Sequence, residues 1–94
     1  MFTTHVRVAV WGAGAVGLST IMACKDAGAK TIVAIDLQKE KLELATQCGA
    51  THTVLAGPDS VAQVMKAAGG RGVDVGFECT GAGQVKIIQI FISH

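Results

Sequence analysis

Three glycines near the start of the chain constrain its fold more than any other feature. Gly12, Gly14 and Gly17 have the spacing G-x-G-x-x-G, and they lie between a Val- and Ala-rich run and a segment with helical periodicity. In such a motif the first glycine permits a tight turn out of a strand, and the third permits a helix to pack closely on the sheet. The stretch therefore predicts a strand, a tight turn and a helix in immediate succession. An ordinary turn in an α/β domain would also account for the glycines alone.

The rest of the chain alternates short apolar runs with longer segments of helical period. This alternation is typical of βαβ units around a parallel sheet. Four strands are predicted, at residues 6–11, 31–35, 51–55 and 73–77. Helices are expected at about residues 15–27 and 38–48, and a third begins near Ser60 and ends before Gly69. The sequence thus predicts an α/β fold.

The end of the chain does not follow this pattern. Its apolar residues would lie on almost every side of a helix, more than a surface helix needs. They are Ile87, Ile88, Ile90, Phe91 and Ile92. Two interpretations of residues 86–94 remain open: a helix whose packing partners lie elsewhere, and a strand-like tail.

Composition excludes several classes of protein. The chain has 94 residues, 50% of them hydrophobic and 16% charged, which indicates one small globular domain spanning residues 1–94. Its net charge of +1, with no basic run, gives no reason to expect nucleic acid or a membrane surface as a partner. Cys24, Cys48 and Cys79 are widely separated and form no C-x-x-C, so we expect reduced thiols in a cytoplasmic protein rather than disulfides or a metal site.

An acidic residue after the second apolar run suggests what the glycines do. Asp36 lies roughly 20 residues beyond them, where the dinucleotide fingerprint has its acid. In such sites the middle glycine lets a pyrophosphate approach the backbone, and the helix N-terminus faces its charge. A carboxylate at position 36 accepts from ribose hydroxyls and repels a 2′-phosphate, which predicts NAD rather than NADP. A solvated Asp at a strand end is the simpler alternative, but the ordered series of elements favours the dinucleotide.

A methyltransferase domain is the competing interpretation. It also has a glycine-rich first turn and an acid after its second strand. Those enzymes usually carry an acidic residue two positions before the first glycine, and here that position is Val10. We therefore set this interpretation aside.

Four segments of the sequence together resemble the coenzyme-binding domain of zinc-type medium-chain alcohol dehydrogenases. They are GAGAVG at 12–17, AIDLQKEKLELA at 34–45, GATHTV at 49–54 and GGRGVDVGFECTGAG at 69–83. The likeness covers about residues 6–85, nearly the whole chain. It implies a partial Rossmann fold, a doubly wound parallel sheet of about four strands in the order 3-2-1-4. It also implies an NAD-binding segment of an oxidoreductase that transfers hydride between an alcohol and NAD.

The resemblance assigns cofactor contacts residue by residue. Asp36 and Lys41 match the family's pair on the adenosine ribose, and Leu37 and Thr80 match the residues that flank the adenine ring. The residues after the second glycine would lie along the pyrophosphate, towards the nicotinamide side. The full set of expected cofactor-binding residues is Gly12, Ala13, Gly14, Ala15, Val16, Gly17, Asp36, Leu37, Lys41 and Thr80. Cys79, beside this set, is interpreted as a packing residue rather than a reactive thiol.

Other parts of that family have no counterpart in the matched segments. The family's zinc ligands and proton-relay residues lie mainly in a separate catalytic domain, so no catalytic or metal-ligating residue is expected here. Residues 86–94 depart from the family pattern, and the last strands of its sheet are not expected. The chain is thus expected to be a truncated segment that is not catalytic alone. The alternative is a non-enzymatic nucleotide-binding or interaction module, self-associating through strand 4 as an unprotected sheet edge.

Overall fold

The structure is a computed structural model that describes residues 5–70, 72–81 and 85–88. Within these ranges it contains five strands and three helices. In chain order they are β1 (Arg7–Trp11), α1 (Ala15–Asp26), β2 (Thr31–Asp36), α2 (Lys39–Cys48), β3 (His52–Leu55), α3 (Ser60–Ala67), β4 (Val75–Glu78) and β5 (Lys86–Ile88). None of the described helices is long and apolar enough to cross a membrane.

The strands form one sheet in the order β3-β2-β1-β4-β5. β1 lies at its centre and is parallel to both neighbours, with Val10 opposite Ala34 of β2 and Phe77 of β4. β3 is parallel to β2, whereas β5 is antiparallel to β4. The predicted α/β fold and the strand order 3-2-1-4 are therefore confirmed, with a fifth strand added beside β4.

Each face of the sheet buries its own apolar cluster. The cluster under α1 and α2 includes Val8 and Val10 of β1, and the cluster under α3 includes Ala9. All three of these residues are fully buried. The same alternation holds in β2, where residues 32–35 are at most 1% exposed. Strands covered on both faces have no solvent side, which explains why the predicted strands read as continuous apolar runs.

β5 changes what the sequence predicted for the sheet edge. Strand 4 was expected to be unprotected, but residues 86–88 pair with Gly76, Phe77 and Glu78 of β4. That prediction is wrong, and self-association through an exposed strand 4 loses its basis. Backbone pairing with residues 86–88 occupies the free side of β4, so β4 is not the edge of the sheet. The strand-like interpretation of the tail is thus confirmed for residues 86–88, while residues 89–94 lie outside the described residues.

Arg7 and Asp74 tie the start of β1 to the segment that leads into β4. The Arg7 amide donates to the Asp74 carboxylate at 2.8 Å, and the Asp74 amide donates back to the Arg7 carbonyl at 2.8 Å. The Arg7 Nε atom lies 3.3 Å from Oδ2 of the same carboxylate. Partial burial alone would raise the pKa of Asp74, but the hydrogen bonds and the charge of Arg7 outweigh it and lower that pKa.

This ion pair predicts an acid-sensitive part of the folding free energy. A carboxylate whose pKa is lower in the folded chain stabilises the fold above its ordinary value, here 3.8, and loses that contribution as the pH falls through the folded value. Because the Asp74 side chain is 43% exposed, the effect is modest, on the order of 1 kcal/mol or less. Urea unfolding of the parent and of Asp74→Asn, at about pH 6 and about pH 3, measures it.

We expect the parent to lose more stability than Asp74→Asn on acidification. Glu43→Gln, which removes one carboxylate from an exposed position of α2, is the matched control and should lose as much as the parent. Equal losses in the parent and in Asp74→Asn would contradict the role of this pair.

Candidate functional site

The carboxyl ends of β1, β2 and β4 meet at one edge of the sheet because these strands are parallel neighbours. A cavity of about 660 Å³ lies there. It is at the point where the connections leave β1 in one direction and β4 in the other, and ligands bind at such switch points in open α/β sheets. The fold therefore places a candidate binding site at this edge.

Most of the predicted cofactor-binding residues line this cavity. The loop after β1 and the first turn of α1 contribute Gly12, Gly14, Ala15 and Val16. The ends of β2 and β4 and the start of α2 contribute a second group, which is Asp36, Leu37, Lys41 and Thr80. Ala13, in the loop, and Gly17, in the first turn of α1, are buried and do not line the cavity.

Two of the three motif glycines are required by the fold itself. Gly12 has φ +96°, and a Cβ there would lie 2.9 Å from the carbonyl of Cys79. A Cβ on Gly17 would overlap the carbonyl oxygen of Gly12. Both positions therefore need glycine for the turn and for close packing of α1, whether or not a ligand binds.

Gly14 differs from the other two glycines. It is the N-cap of α1, with φ −79° and ψ −167°, a conformation that any residue can adopt. A Cβ at this position would meet no atom within 4 Å. The fold does not require glycine at this position. The effect of having no side chain at Gly14 is that space stays free at the cavity.

The start of α1 leaves backbone donors without an acceptor. The first helical bond runs from the Leu18 amide to the Gly14 carbonyl at 2.8 Å, and no side chain caps the helix. Within the described part of the chain, the amides of Gly14, Ala15, Val16 and Gly17 have no protein partner. Together with the partial positive charge of a helix N-terminus, these donors suit an anionic group.

Asp36 both faces the cavity and holds the glycine loop. Its Oδ2 atom accepts from the Ala13 amide at 2.8 Å, and Oδ1 accepts from the Gln38 amide at 2.8 Å. The Gly12 amide donates to the neighbouring Ile35 carbonyl at 2.7 Å. A carboxylate has roughly four lone-pair positions, so each oxygen of Asp36 can accept from one further donor.

The remaining predicted residues present different chemistry to the cavity. Leu37 is 79% exposed and offers an apolar side chain at the rim. Lys41 lines the cavity and, within the described residues, pairs with no carboxylate. The Thr80 hydroxyl and amide both donate to the Glu78 carboxylate, and these bonds lower the pKa of Glu78. The Thr80 hydroxyl proton is therefore already used within the protein.

The sequence did not indicate five other residues that line the cavity. They are Trp11, Ile35, Gln38, Ala56 and Gly81. Trp11 directly precedes the first glycine and therefore stands at the carboxyl end of β1. Ala56 follows β3, and its amide donates to the Asp36 carbonyl at 2.8 Å. Strand order, rather than any local motif, brings Ala56 here, because β3 pairs with β2.

The two buried cysteines, of which Cys79 lines the cavity, lack the properties of reactive groups. Burial raises the pKa of both Cys79 and Cys24, so both thiols stay protonated at neutral pH. The Cys79 Sγ atom lies 3.7 Å from the Thr20 hydroxyl oxygen and packs in the cluster under α1. This supports the interpretation of Cys79 as a packing residue.

A zinc ion would need several His, Cys, Asp or Glu side chains close together. Among residues 5–70, 72–81 and 85–88, no three His, Cys, Asp or Glu side chains are placed to share a metal ion. The described residues therefore do not fit a zinc site, and we assign no chemical step to zinc.

The sequence model of the zinc-binding dehydrogenase family matches residues 15–86, more than half of the chain. The chain therefore belongs to the zinc-binding dehydrogenase family. This confirms the resemblance to zinc-type alcohol dehydrogenases on which the assignment of cofactor contacts was based.

Individual relatives are dehydrogenases or reductases as well, and they show how much of such a protein this chain covers. The chain is 45% identical over 83 residues to a D-xylulose reductase of Saccharomyces cerevisiae, covering 81% of this chain and 23% of that protein. It is 42% identical over 76 residues to an L-threonine 3-dehydrogenase of Rhizobium johnstonii, covering 80% and 22%. The crystal structure of benzyl alcohol dehydrogenase from Acinetobacter calcoaceticus superposes with a TM-score of 0.77 at 42% identity, covering 85% and 22%. The chain thus spans less than a quarter of the length of these relatives.

The geometry of the loop predicts opposite effects for two glycine substitutions. Gly17→Ala should lower the free energy of unfolding by about 3 kcal/mol or more, because its Cβ overlaps the Gly12 carbonyl oxygen and α1 must shift. Gly14→Ser should leave it within about 0.5 kcal/mol of the parent or raise it, since Ser is a favourable N-cap residue. Urea unfolding followed by circular dichroism measures both. Similar destabilisation by the two changes would contradict the distinction between them.

Proposed function

We propose that this chain binds NAD and forms the adenosine- and pyrophosphate-binding part of an alcohol-dehydrogenase-like oxidoreductase. The pyrophosphate would lie against the loop after β1 and the start of α1. The adenosine would lie along the ends of β2 and β3.

Gly14 is the observation that carries this proposal. The fold leaves its Cβ position open to the cavity and places no conformational demand on it. The same residue adjoins the helix amides that have no acceptor within the described residues. A pyrophosphate that approaches the backbone accounts for both features at once, because it needs the open space and accepts from the amides. The residues present therefore fit this group.

The preference for NAD over NADP is proposed from Asp36. Each of its oxygens retains an acceptor position, so the carboxylate can take both hydroxyls of an adenosine ribose. A 2′-phosphate at the same place would put two negative groups in contact, which disfavours NADP. Lys41 lines the same cavity and can donate to the sugar, and the exposed side chain of Leu37 offers an apolar surface to the adenine ring.

The reaction is proposed from the relatives, whose names are those of a sugar reductase, an amino-acid dehydrogenase and an alcohol dehydrogenase. We propose hydride transfer between an alcohol and NAD for the complete catalytic unit. NAD supplies the hydride acceptor when it is bound, and this chain's residues hold its adenosine and pyrophosphate. Because the chain spans less than a quarter of these relatives, we propose that it does not catalyse the reaction alone.

Calorimetric titration with NAD and with NADP tests the proposal. The parent should bind NAD saturably and NADP more weakly. Gly14→Ser should weaken NAD binding by about tenfold or more, which corresponds to about 1.4 kcal/mol, because its side chain fills the pyrophosphate position and caps the helix amides. Trp11, the single tryptophan, lines the cavity and gives a second signal, since its fluorescence should be quenched by NADH.

Gly57→Ser is the matched control. It makes the same change at a loop position that also has no atom within 4 Å of the added Cβ and that does not line the cavity. NAD binding by this variant should equal that of the parent. A folded parent that binds no NAD, or equal weakening by both serine variants, would overturn the proposal.

A further inference from the structure

The carboxylate of Asp36 bridges two separate pieces of backbone. Oδ1 accepts from Gln38, two residues away at the start of α2, and Oδ2 accepts from Ala13, in the loop after β1. Both distances are 2.8 Å. Hydrogen bonds to an ionised acceptor are stronger than neutral ones, so this side chain is a substantial link between the loop and β2.

The position of the linked amide in the loop gives the bond a specific effect. Ala13 lies between Gly12 and Gly14, and glycine has more backbone freedom than any other residue. The Gly12 amide is held by the Ile35 carbonyl, and the Ala13 amide by Asp36. Among the described residues, the next amides, from Gly14 to Gly17, have no protein acceptor. The Asp36 bond is thus the last one that fixes the loop before those donors.

We propose that Asp36 is a positioning residue for the pyrophosphate loop, acting through the Ala13 amide, in addition to any contact with the ribose. This inference rests on the proposed NAD site. Its consequence is that the two halves of that site are coupled: the same carboxylate orients the donors for the phosphates and accepts from the sugar. Replacing it with a small neutral residue loosens the phosphate half rather than simply admitting a 2′-phosphate.

The charge of Asp36 makes the inference distinguishable from a simple electrostatic role. A carboxylate near the site repels phosphate, so removing its charge should tighten phosphate binding if charge were its only effect on that group. A positioning role predicts the opposite sign, since the loop donors lose their orientation. A role limited to the ribose predicts no change for a ligand that lacks the ribose hydroxyls.

Titration with ADP and with 2′,3′-dideoxy-ADP separates these roles. The second nucleotide has the same diphosphate but no hydroxyls for Asp36 to bind. The variants are Asp36→Ala and Asp36→Asn, which lose the same charge but differ in the acceptor oxygen. Asp36→Ala should weaken dideoxy-ADP binding by about fivefold or more, and Asp36→Asn, whose single amide oxygen can accept from Ala13 or from Gln38 but not from both, should weaken it less.

Amide hydrogen exchange of the same folded proteins gives an independent signal. The Ala13 amide should exchange about tenfold faster or more in Asp36→Ala than in the parent, with no change at Ile21 in the middle of α1. If Asp36→Ala shows no cooperative unfolding transition, Asp36→Ser replaces it, since its hydroxyl is too short to reach Ala13, and the same results are expected.

The outcomes separate this inference from the proposal beneath it. A parent that binds neither nucleotide overturns the NAD site and the inference with it. A parent that binds both, with dideoxy-ADP bound as tightly or more tightly by Asp36→Ala, overturns the positioning role alone. Unchanged exchange at Ala13 in that variant overturns it as well.

Discussion

The parallel pairing of β1 with both β2 and β4 is the constraint on which the rest of the molecule depends. It buries β1 on both faces, which requires an unbroken apolar run and gives each face its own core cluster. It also brings three carboxyl ends to one edge of the sheet. The chain leaves this edge through Gly12 on one side and through the segment after Glu78 on the other. The cavity between these two connections is a consequence of the strand order alone.

The motif glycines separate what the fold requires from what a ligand would require. Gly12 and Gly17 relieve contacts within the chain, so they would be present in any domain with this turn and this helix position. Gly14 relieves none. The motif predicts these separate roles by likeness to known sites, but its spacing alone does not show the distinction in this chain. The structure makes it, and the proposed binding function rests on the glycine that the fold does not need.

Much of the fold was predictable because its signals are local. Continuous apolar runs, helical periods and the glycines after β1 predicted four strands and three helices, and their order along the chain. The pairing of residues 86–88 with β4 was not predictable, because an isoleucine-rich run fits a strand and a buried helix equally well. Only the available edge of β4 decides between them. The prediction that strand 4 is an open edge was wrong for the same reason.

The candidate site, like the fold, was predictable only where its signals are local in sequence. The acid and the glycines share a known spacing, so Asp36 could be placed at the cavity from sequence. Its bond to Ala13 could not, since the spacing specifies a neighbourhood and not a hydrogen-bond partner. Ala56 was missed because it reaches the cavity only through the pairing of β3 with β2. Local motifs therefore indicated the ligand class that we propose, and the pairing of distant strands brought the remaining residues to the cavity.

The central claim is that the carboxyl edge of β1, β2 and β4 in this chain is a binding site for NAD. Backbone-amide NMR spectra recorded during titration with NAD test it most directly, because they report binding and location together. Saturable shifts are expected at residues 12–17, 36–41 and 80, with little change at the opposite edge of the sheet near Arg7 and Asp74. Saturable shifts centred elsewhere, or none in a well-folded sample, would contradict it.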